Sequence, residues 1–552
     1  MNERTKTGLE IIQAAVLLGL LGDVLLRATP WGVNVLLFVG ALIAALAMLF
    51  LRRRHEFWNS QTIALNGALL LLAAMYVWRD SRELHLFDGL MMLGILAVLL
   101  LPALKIQTRI AGVIHYAVAG AWMWMSAAFA PFFLIFDDVK WTTIPQTGWT
   151  KHLIAVLRGL AIAVPILLVF GALFVAADAV YQGIVERTLN INFEKLVSHV
   201  FLIGVFSWLS AGYLRGALFG FGTGDKSDEA KRENPSQILS VTEIREDEPA
   251  KPEEKPAAPE KTWTWQNLDN SFLPRGLTLG AIEISIILGL INLLFLSFVI
   301  VQLPYLFGGF ELVQNTPDFK LAEYARRGFG ELVTVAALVL PILMTSHWLL
   351  RKDAPVNEKI YRALAGIQVV LLFVIMASAM QRLFILTGNL GYGLTTIRFY
   401  PMAFMIWLAI VFIWFTATVL RGARQHFTWG ALWSAVLVLA VLHFVNPDDY
   451  IARTNLRLMR EGRSFDAYYN SRLSDDAIPG LVENLGAMSF ENQCVVKWRL
   501  TQRLGEANAE TDVRSWNYSR WAGRRNLITN YDAFDTSNCS DEMKRFSRAE
   551  EF

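Results

Sequence analysis

Long apolar runs recur along this chain, each about one bilayer crossing in length and each bounded by charged or aromatic residues. A helix needs roughly 17–25 mostly apolar residues to cross a hydrocarbon core about 30 Å thick. Runs of this kind fall at 8–26, 31–51, 61–78, 84–104, 110–135, 153–177 and 196–214, and again at 279–303, 328–350, 361–384, 397–420 and 428–445. The pattern predicts an all-α, polytopic membrane protein with about twelve transmembrane helices. Pro165 and Pro341 lie inside runs, a placement that membrane helices tolerate. The first run follows Arg4 and Lys6 and so has the outline of a signal peptide. Glu10 and Asp23 interrupt it, no small-x-small cleavage site follows, and the next run begins at Trp31. It reads as a retained helix.

The pattern breaks twice. Residues 224–262 are rich in Pro, Glu and Lys and poor in apolar residues, too poor to bury a core. A charged, disordered linker over 216–278 is therefore expected between a seven-helix block, 1–215, and a five-helix block, 279–445. No internal repeat relates the blocks, which argues against an inverted-repeat transporter. From Asn446 the apolar runs stop, and 446–552 reads as a small soluble helical domain. Within it, Ser474, Asp475 and Asp476 suit a helix start, followed by Ile478, Leu481, Val482 and Leu485 on one face.

Composition agrees with the pattern. Hydrophobic residues make up 54% and charged residues 18%, against about 25% charged in soluble proteins. Eighteen tryptophans and thirty-five phenylalanines suit bilayer interfaces. The net charge of +2, with no basic patch interleaved with aromatics, gives no reason to expect a nucleic-acid partner. The partners to expect are the lipid bilayer and another membrane or envelope protein.

Both cysteines, Cys494 and Cys539, lie in the C-terminal tail, away from any His/Cys spacing that resembles a zinc site. Either they form a disulfide, which would place the tail outside the cytoplasm, or they are two unrelated thiols. In the second half, Lys and Arg cluster in the linker, over 351–362 and over 421–424, which puts the linker inside and the tail outside. Arg52, Arg53 and Arg54 also call for the inside, and with twelve crossings that would bring the tail inside too. Both signals hold only if one segment between 105 and 152 does not cross. Phe129–Phe136, which contains Pro131, is the candidate for an interfacial or re-entrant piece.

Four segments carry a family resemblance. They are RGLAIAVPILLVFGALFVAADAVY from Arg158; QLPYLFGG from Gln302 with AEYARRGFGELV from Ala322; MQRLFILTGNLGYGLTTIRFY from Met380; and NPDDYIARTNL from Asn446 with LSDDAIPGL from Leu473. The chain resembles a family of uncharacterised bacterial multi-pass membrane proteins catalogued only as a domain of unknown function. Ala177 and Asp178 match its A-D pair, whereas Ala176, Ala179 and Tyr181 depart from the Ser, Pro and Phe usual there. The resemblance implies a bacterial inner-membrane architecture and brings no activity with it.

Candidate functional residues gather at helix ends. Glu323, Arg327 and Glu331 fall at i, i+4 and i+8, with Tyr305, Tyr324 and Arg326 nearby. Such a carboxylate–guanidinium ladder could hold a charged headgroup, and the same residues also suit plain interfacial anchoring. Glu283 and Glu331 are read as intramembrane ionisable groups, costly enough to suggest a role. Asp178 closes a span, and Asn389, Tyr392, Thr395 and Arg398 surround a glycine-rich turn expected on the tail's side. No phosphate loop, H-E-x-x-H or G-x-S-x-G occurs, so no cofactor, metal or catalytic residue is assigned. Three classes remain: a membrane scaffold or sensory partner, which the missing catalytic motifs favour; a transporter or lipid flippase; and a transferase acting on a lipid-linked substrate, with Asp178, Asp448 and Asp449 as its candidate acids.

Overall fold

The structure, a computed structural model, describes residues 2–52, 59–141, 170, 193–220, 278–314, 329–351, 355–389, 393–509 and 512–540. Among them every long element is a helix, and one parallel bridge, Leu279 to Leu350, is the sole β-type pairing. Eleven helices are long and apolar enough to cross a membrane. The expected run over 153–177 and most of the expected linker lie outside the described residues. The first group is α1 (Glu3–Leu26), α2 (Val33–Arg52), α3 (Ser60–Trp78), α4 (Arg82–Val98), α5 (Val113–Phe133) and α6 (Phe193–Phe219). The second is α7 (Ala281–Gln314), α8 (Phe329–Leu349), α9 (Pro355–Phe384), α10 (Thr396–Thr418) and α11 (Phe427–Val445). The tail holds α12 (Pro447–Arg460), α13 (Ala467–Ser471), α14 (Ile478–Glu483), α15 (Phe490–Ala509) and α16 (Tyr518–Thr529). Helix α6 runs four residues past 215, and α7 extends well past 303.

Most of these helices are apolar all round, as lipid-facing helices must be, and leave Leu290, Leu293, Leu294, Ile413 and Leu437 exposed on the outside. Inside, Tyr361, Phe412 and Phe415 are fully buried in the core of the second group. Helix α11 joins the two groups, because Val436, Leu439 and Leu442 share one cluster with Leu69, Leu72 and Ile95. Where side chains are small, backbones meet. A Cβ on Gly19 of α1 would lie 2.7 Å from the Ile203 carbonyl of α6. Close approach of this kind drives helix association where no hydrophobic effect separates helix from lipid.

Helices α1 and α6 are antiparallel. His199 meets Asp23 near the end of α1, and Arg215 shares Asp138 with Arg4 at its start. Asp138 is fully buried; Arg4 Nη2 lies 2.6 Å from Oδ1 and Arg215 Nε 2.6 Å from Oδ2. The two cations also sit over aromatic rings, Arg4 over Phe219 at 4.7 Å and Arg215 over Phe133 at 5.4 Å. A lone carboxylate at this depth would be prohibitively desolvated, so the double pairing is a condition of the fold.

This cluster fixes the path of α5. Ala103, just before it, packs against Gly220, and Asp138, just after it, pairs with Arg215. Both ends of the segment therefore reach the same end of α6. Its deepest contact is Trp208 Nε1 donating to the Ala128 carbonyl at 3.0 Å, about 16 Å up α6 from Phe219 at 1.5 Å per residue. Pro131 has no amide to offer the preceding turn, and a π-helical turn, Leu134–Asp138, continues the helix to the buried carboxylate. The stretch Val113–Asp138 has the length and composition of a span, yet Ala103 before it and Asp138 at its close both lie beside the last turns of α6. Residues 27–32, 79–81, 393–395 and 446 lie on the other face, under the tail.

Single cysteines placed at the exposed positions Gln107 and Lys140 are expected to react with an impermeant maleimide from the same side of the membrane, and one at the exposed Arg82 from the opposite side. Reaction of Gln107→Cys and Lys140→Cys from opposite sides would mean that α5 crosses.

Candidate functional site

A helix leaves its first N–H groups and last C=O groups without partners, and a membrane surface is a poor place to leave them. Here the tail supplies the partners. Asn517 Nδ2 donates to the carbonyls of Tyr76 at 2.7 Å and Arg79 at 2.8 Å, and Ser519 Oγ donates to that of Trp78 at 2.9 Å, closing the end of α3. The Trp516 carbonyl accepts from the Val33 amide at 3.0 Å, closing the start of α2, and Arg514 donates to the Val24 carbonyl near the end of α1. Tyr469 Oη accepts from the Thr396 amide at 2.7 Å, closing the start of α10. Gly32 permits one of these contacts, since a Cβ there would stand 2.2 Å from the Trp516 carbonyl.

Around these caps lies a network of charges. Arg79 Nε donates to the His443 carbonyl of α11 at 2.8 Å, and its Nη1 reaches Asp476 Oδ1 at 3.0 Å. The Asp80 amide donates to Asp476 Oδ2 at 2.9 Å, Arg520 pairs with the Asp80 carboxylate, and Arg503 Nη1 stands 3.2 Å from Asp475. Asp476, 1% exposed at its side chain, therefore joins α3, the turn after it and the tail. A cavity of about 610 Å³ opens beside the network, lined by Pro30, Asp80, Asp475, Arg503, Trp516 and Arg520 among others. Beneath it Asp88 of α4 and His443 are both fully buried, with Nε2 3.0 Å from Oδ2. His443 Nδ1 is engaged by the Leu439 carbonyl at 2.8 Å, which leaves Nε2 facing the carboxylate.

Two of the sequence motifs meet at this junction. Asn455, in the segment from Asn446, accepts from the Leu394 amide at 2.6 Å and donates to the Leu394 carbonyl at 2.9 Å, so it grips the turn of the Met380 segment. Gly393 adopts φ +70, and a Cβ there would stand 2.7 Å from Asn455 Oδ1, so the grip requires glycine. Asp448 Oδ2 accepts from the Ser474 amide at 3.2 Å, tying Asn446–Leu456 to Leu473–Leu481. These motifs build the joint between tail and membrane helices.

Residues 67–484 match the family model for DUF4153, a domain of unknown function. The chain belongs to this family. No curated protein and no solved structure matches it. The DUF4153 region runs from within α3 to the end of α14 and includes Asp80, Asp448, Asn455 and Asp476. Arg503, Asn517, Ser519 and Arg520 lie beyond it.

Asp448 and Arg398 belong to this junction, and the other sequence candidates do not. Asp178, Glu323, Tyr324, Arg326, Arg327 and Tyr392 lie outside the described residues, and Tyr305 is placed within α7 without a described side chain. Glu331 occupies the first turn of α8 and is exposed. Glu283, read as intramembrane, instead sits in the first turn of α7. Its side chain is half exposed, accepts from the Gly280 amide at 3.0 Å and lies 3.8 Å from Arg351. The difference comes from helix start points, since a carboxylate in the first turn meets free amides and the positive end of the helix dipole. Arg398 lies in the first turn of α10 and donates to the Gly393 carbonyl. Cys494 and Cys539 are joined by a disulfide. Asn292, deep in α7, donates to the Leu364 carbonyl of α9 at 3.0 Å, an interhelical bond. Among the described residues no group of His, Cys, Asp and Glu is arranged to hold a metal ion.

Two predictions follow from the network. Arg79→Ala leaves Asp476 buried without its main cation, and such a loss costs about 3 kcal/mol or more. The tail is then expected to become sensitive to limited proteolysis under conditions in which the wild type resists; equal resistance would show that Arg79 does not hold the joint. Burial, then the neighbouring Asp80, pushes Asp475 up to about 7, against the pull of Arg503 and Arg520. Burial likewise raises Asp448 to about 6. The folded state holds these protons where the unfolded chain has released them. Their contribution to stability is full below about pH 4 and is lost as the pH rises through about pH 7. Asp475→Asn is expected to flatten the fall in melting temperature across that window, and an unchanged profile would remove Asp475 as its source.

Proposed function

We propose that this protein is a membrane scaffold or regulatory partner in the bacterial envelope, set in the inner membrane with its C-terminal domain on the extracytoplasmic side. The observation that carries this reading is how the polar groups are used. Within the membrane helices charged and amide groups meet across helices, as in Asp88 beside His443 and Asn292 with the Leu364 carbonyl, and Asp138 is paired with Arg4 and Arg215 at the membrane face. Outside, the tail is fastened to the ends of several helices and presents exposed Val513, Trp516, Tyr518 and Trp521. A transport route would be expected to use Glu283 or Glu331 well inside the helices, and both sit in the first turn of theirs. A transferase would be expected to free Asp448 or Asp449, and these bond Ser474 and Arg453.

Sidedness is supported by charge. Arg4, Arg52, Lys105, Arg351, Arg362 and Arg421 fall on the face away from the tail, as cytoplasmic loops require. On the tail face, Arg27 is paired with Asp23 and Arg79 with Asp476. The Cys494–Cys539 disulfide suits an oxidising compartment.

In a strain whose growth depends on this protein, Glu283→Gln and Glu331→Gln are expected to complement fully, while deletion of 224–262 abolishes complementation with the protein still in the membrane. Loss of function in Glu331→Gln together with an intact deletion variant would favour transport and sink this reading.

A further inference from the structure

The tail carries a second, smaller pocket of about 170 Å³, lined by Arg472, Arg499, Gln502 and Arg503. Three guanidinium groups share this space, yet they are held mostly by neutral groups. Arg472 Nη1 donates to Tyr468 Oη at 2.6 Å, and the guanidinium lies over the Tyr468 ring at 5.2 Å. Arg499 Nη1 donates to Gln502 Oε1 at 3.1 Å. Arg503 donates to the Leu473 carbonyl and to Asp475. Neither Arg472 nor Arg499 pairs with a carboxylate among the described residues, and Asp475 is the one acid that Arg503 meets. Each guanidinium has five N–H donors, so most of the donors around this space are uncommitted. Three like charges held together with one carboxylate among them repel, and the arrangement gains most from an anion with several acceptor oxygens.

We propose that the Arg472–Arg499–Arg503 pocket binds a phosphate group, as a monoester or diester. The pocket admits one tetrahedral oxoanion with room for its ester substituent. Arg503 also lines the larger cavity at the membrane face, beside Pro30 and Asp80, so the ester could be a lipid headgroup or a soluble compound. The inference goes beyond the scaffold reading and stands or falls without it, because binding is measured on the purified protein alone.

The test uses the full chain in neutral detergent. Calorimetric titration with inorganic phosphate, against chloride at matched ionic strength, is expected to show saturable binding to the wild type. Arg472→Gln combined with Arg499→Gln, which leaves the Arg503–Asp475 contact in place, is expected to weaken binding at least about tenfold, or 1.4 kcal/mol, with the disulfide and melting temperature retained. Arg499→Lys keeps the charge without the planar fork and is expected to fall between. Dihexanoyl phosphatidic acid and glycerol phosphate separate the sources. Tighter binding of the lipid assigns a headgroup, and equal or tighter binding of glycerol phosphate assigns a soluble ester. No phosphate binding to the wild type beyond the chloride control, or equal binding to the double variant, overturns the proposal.

Discussion

The constraint on which this structure depends is that a helix arriving at the membrane surface brings N–H and C=O groups that its own turns cannot satisfy. In many membrane proteins, water and short loops take them up. Here a separate domain does so. Asn517, Ser519, the Trp516 carbonyl, Arg514 and Tyr469 reach α1, α2, α3 and α10 from a tail that follows them in sequence by between about seventy and five hundred residues. The charge network of Arg79, Asp80, Asp476 and Arg520 then fixes the register of those contacts, because each carboxylate is spoken for by a donor on the other side of the joint.

The same constraint acts inside the bilayer, with a different solution. Among the described residues, Asp138 and Asp88 each draw a partner from another helix. The Asp138 cluster recruits the first turn of α1 and the last turns of α6. In doing so it holds the close of the α5 segment against both helices. Pro131 removes one amide from the helix ladder of α5, and the carbonyl that accepts from Trp208 lies three residues before it.

Much of this architecture was legible from hydrophobic pattern alone, because a run of apolar residues long enough to span a bilayer has few alternative fates. The tail helix after Ser474 was legible for the same kind of reason: Ile478, Leu481 and Leu485 fall on one face and are buried. The joint was not. Asp475 and Asp476 read as a helix start, and nothing in their local sequence points to Arg79 or Asp80, about four hundred residues earlier. Asn517 and Ser519 are ordinary polar residues until the α3 carbonyls are set before them. Asp88 and Asp138 did leave a signal, each an acid within or at the close of an apolar run, but Glu283 and Glu331 drew the same argument and proved to lie at helix starts. Linear spacing measures distance from the edge of an apolar run, and a helix chooses its own first residue.

The disulfide between Cys494 and Cys539 spans 45 positions, and its loop contains Arg503, Arg514, Trp516, Asn517, Ser519 and Arg520. Every contact that α16 and the turn before it make with the membrane helices thus belongs to a covalent ring. Closing a ring of that size restricts the unfolded chain by about 4 kcal/mol in the chain-entropy account. The capping residues within this ring therefore find the membrane helices as part of a tethered segment and not as a free chain end. A reductant that opens the ring would act on the grip between the two domains before it reached any helix in the bilayer.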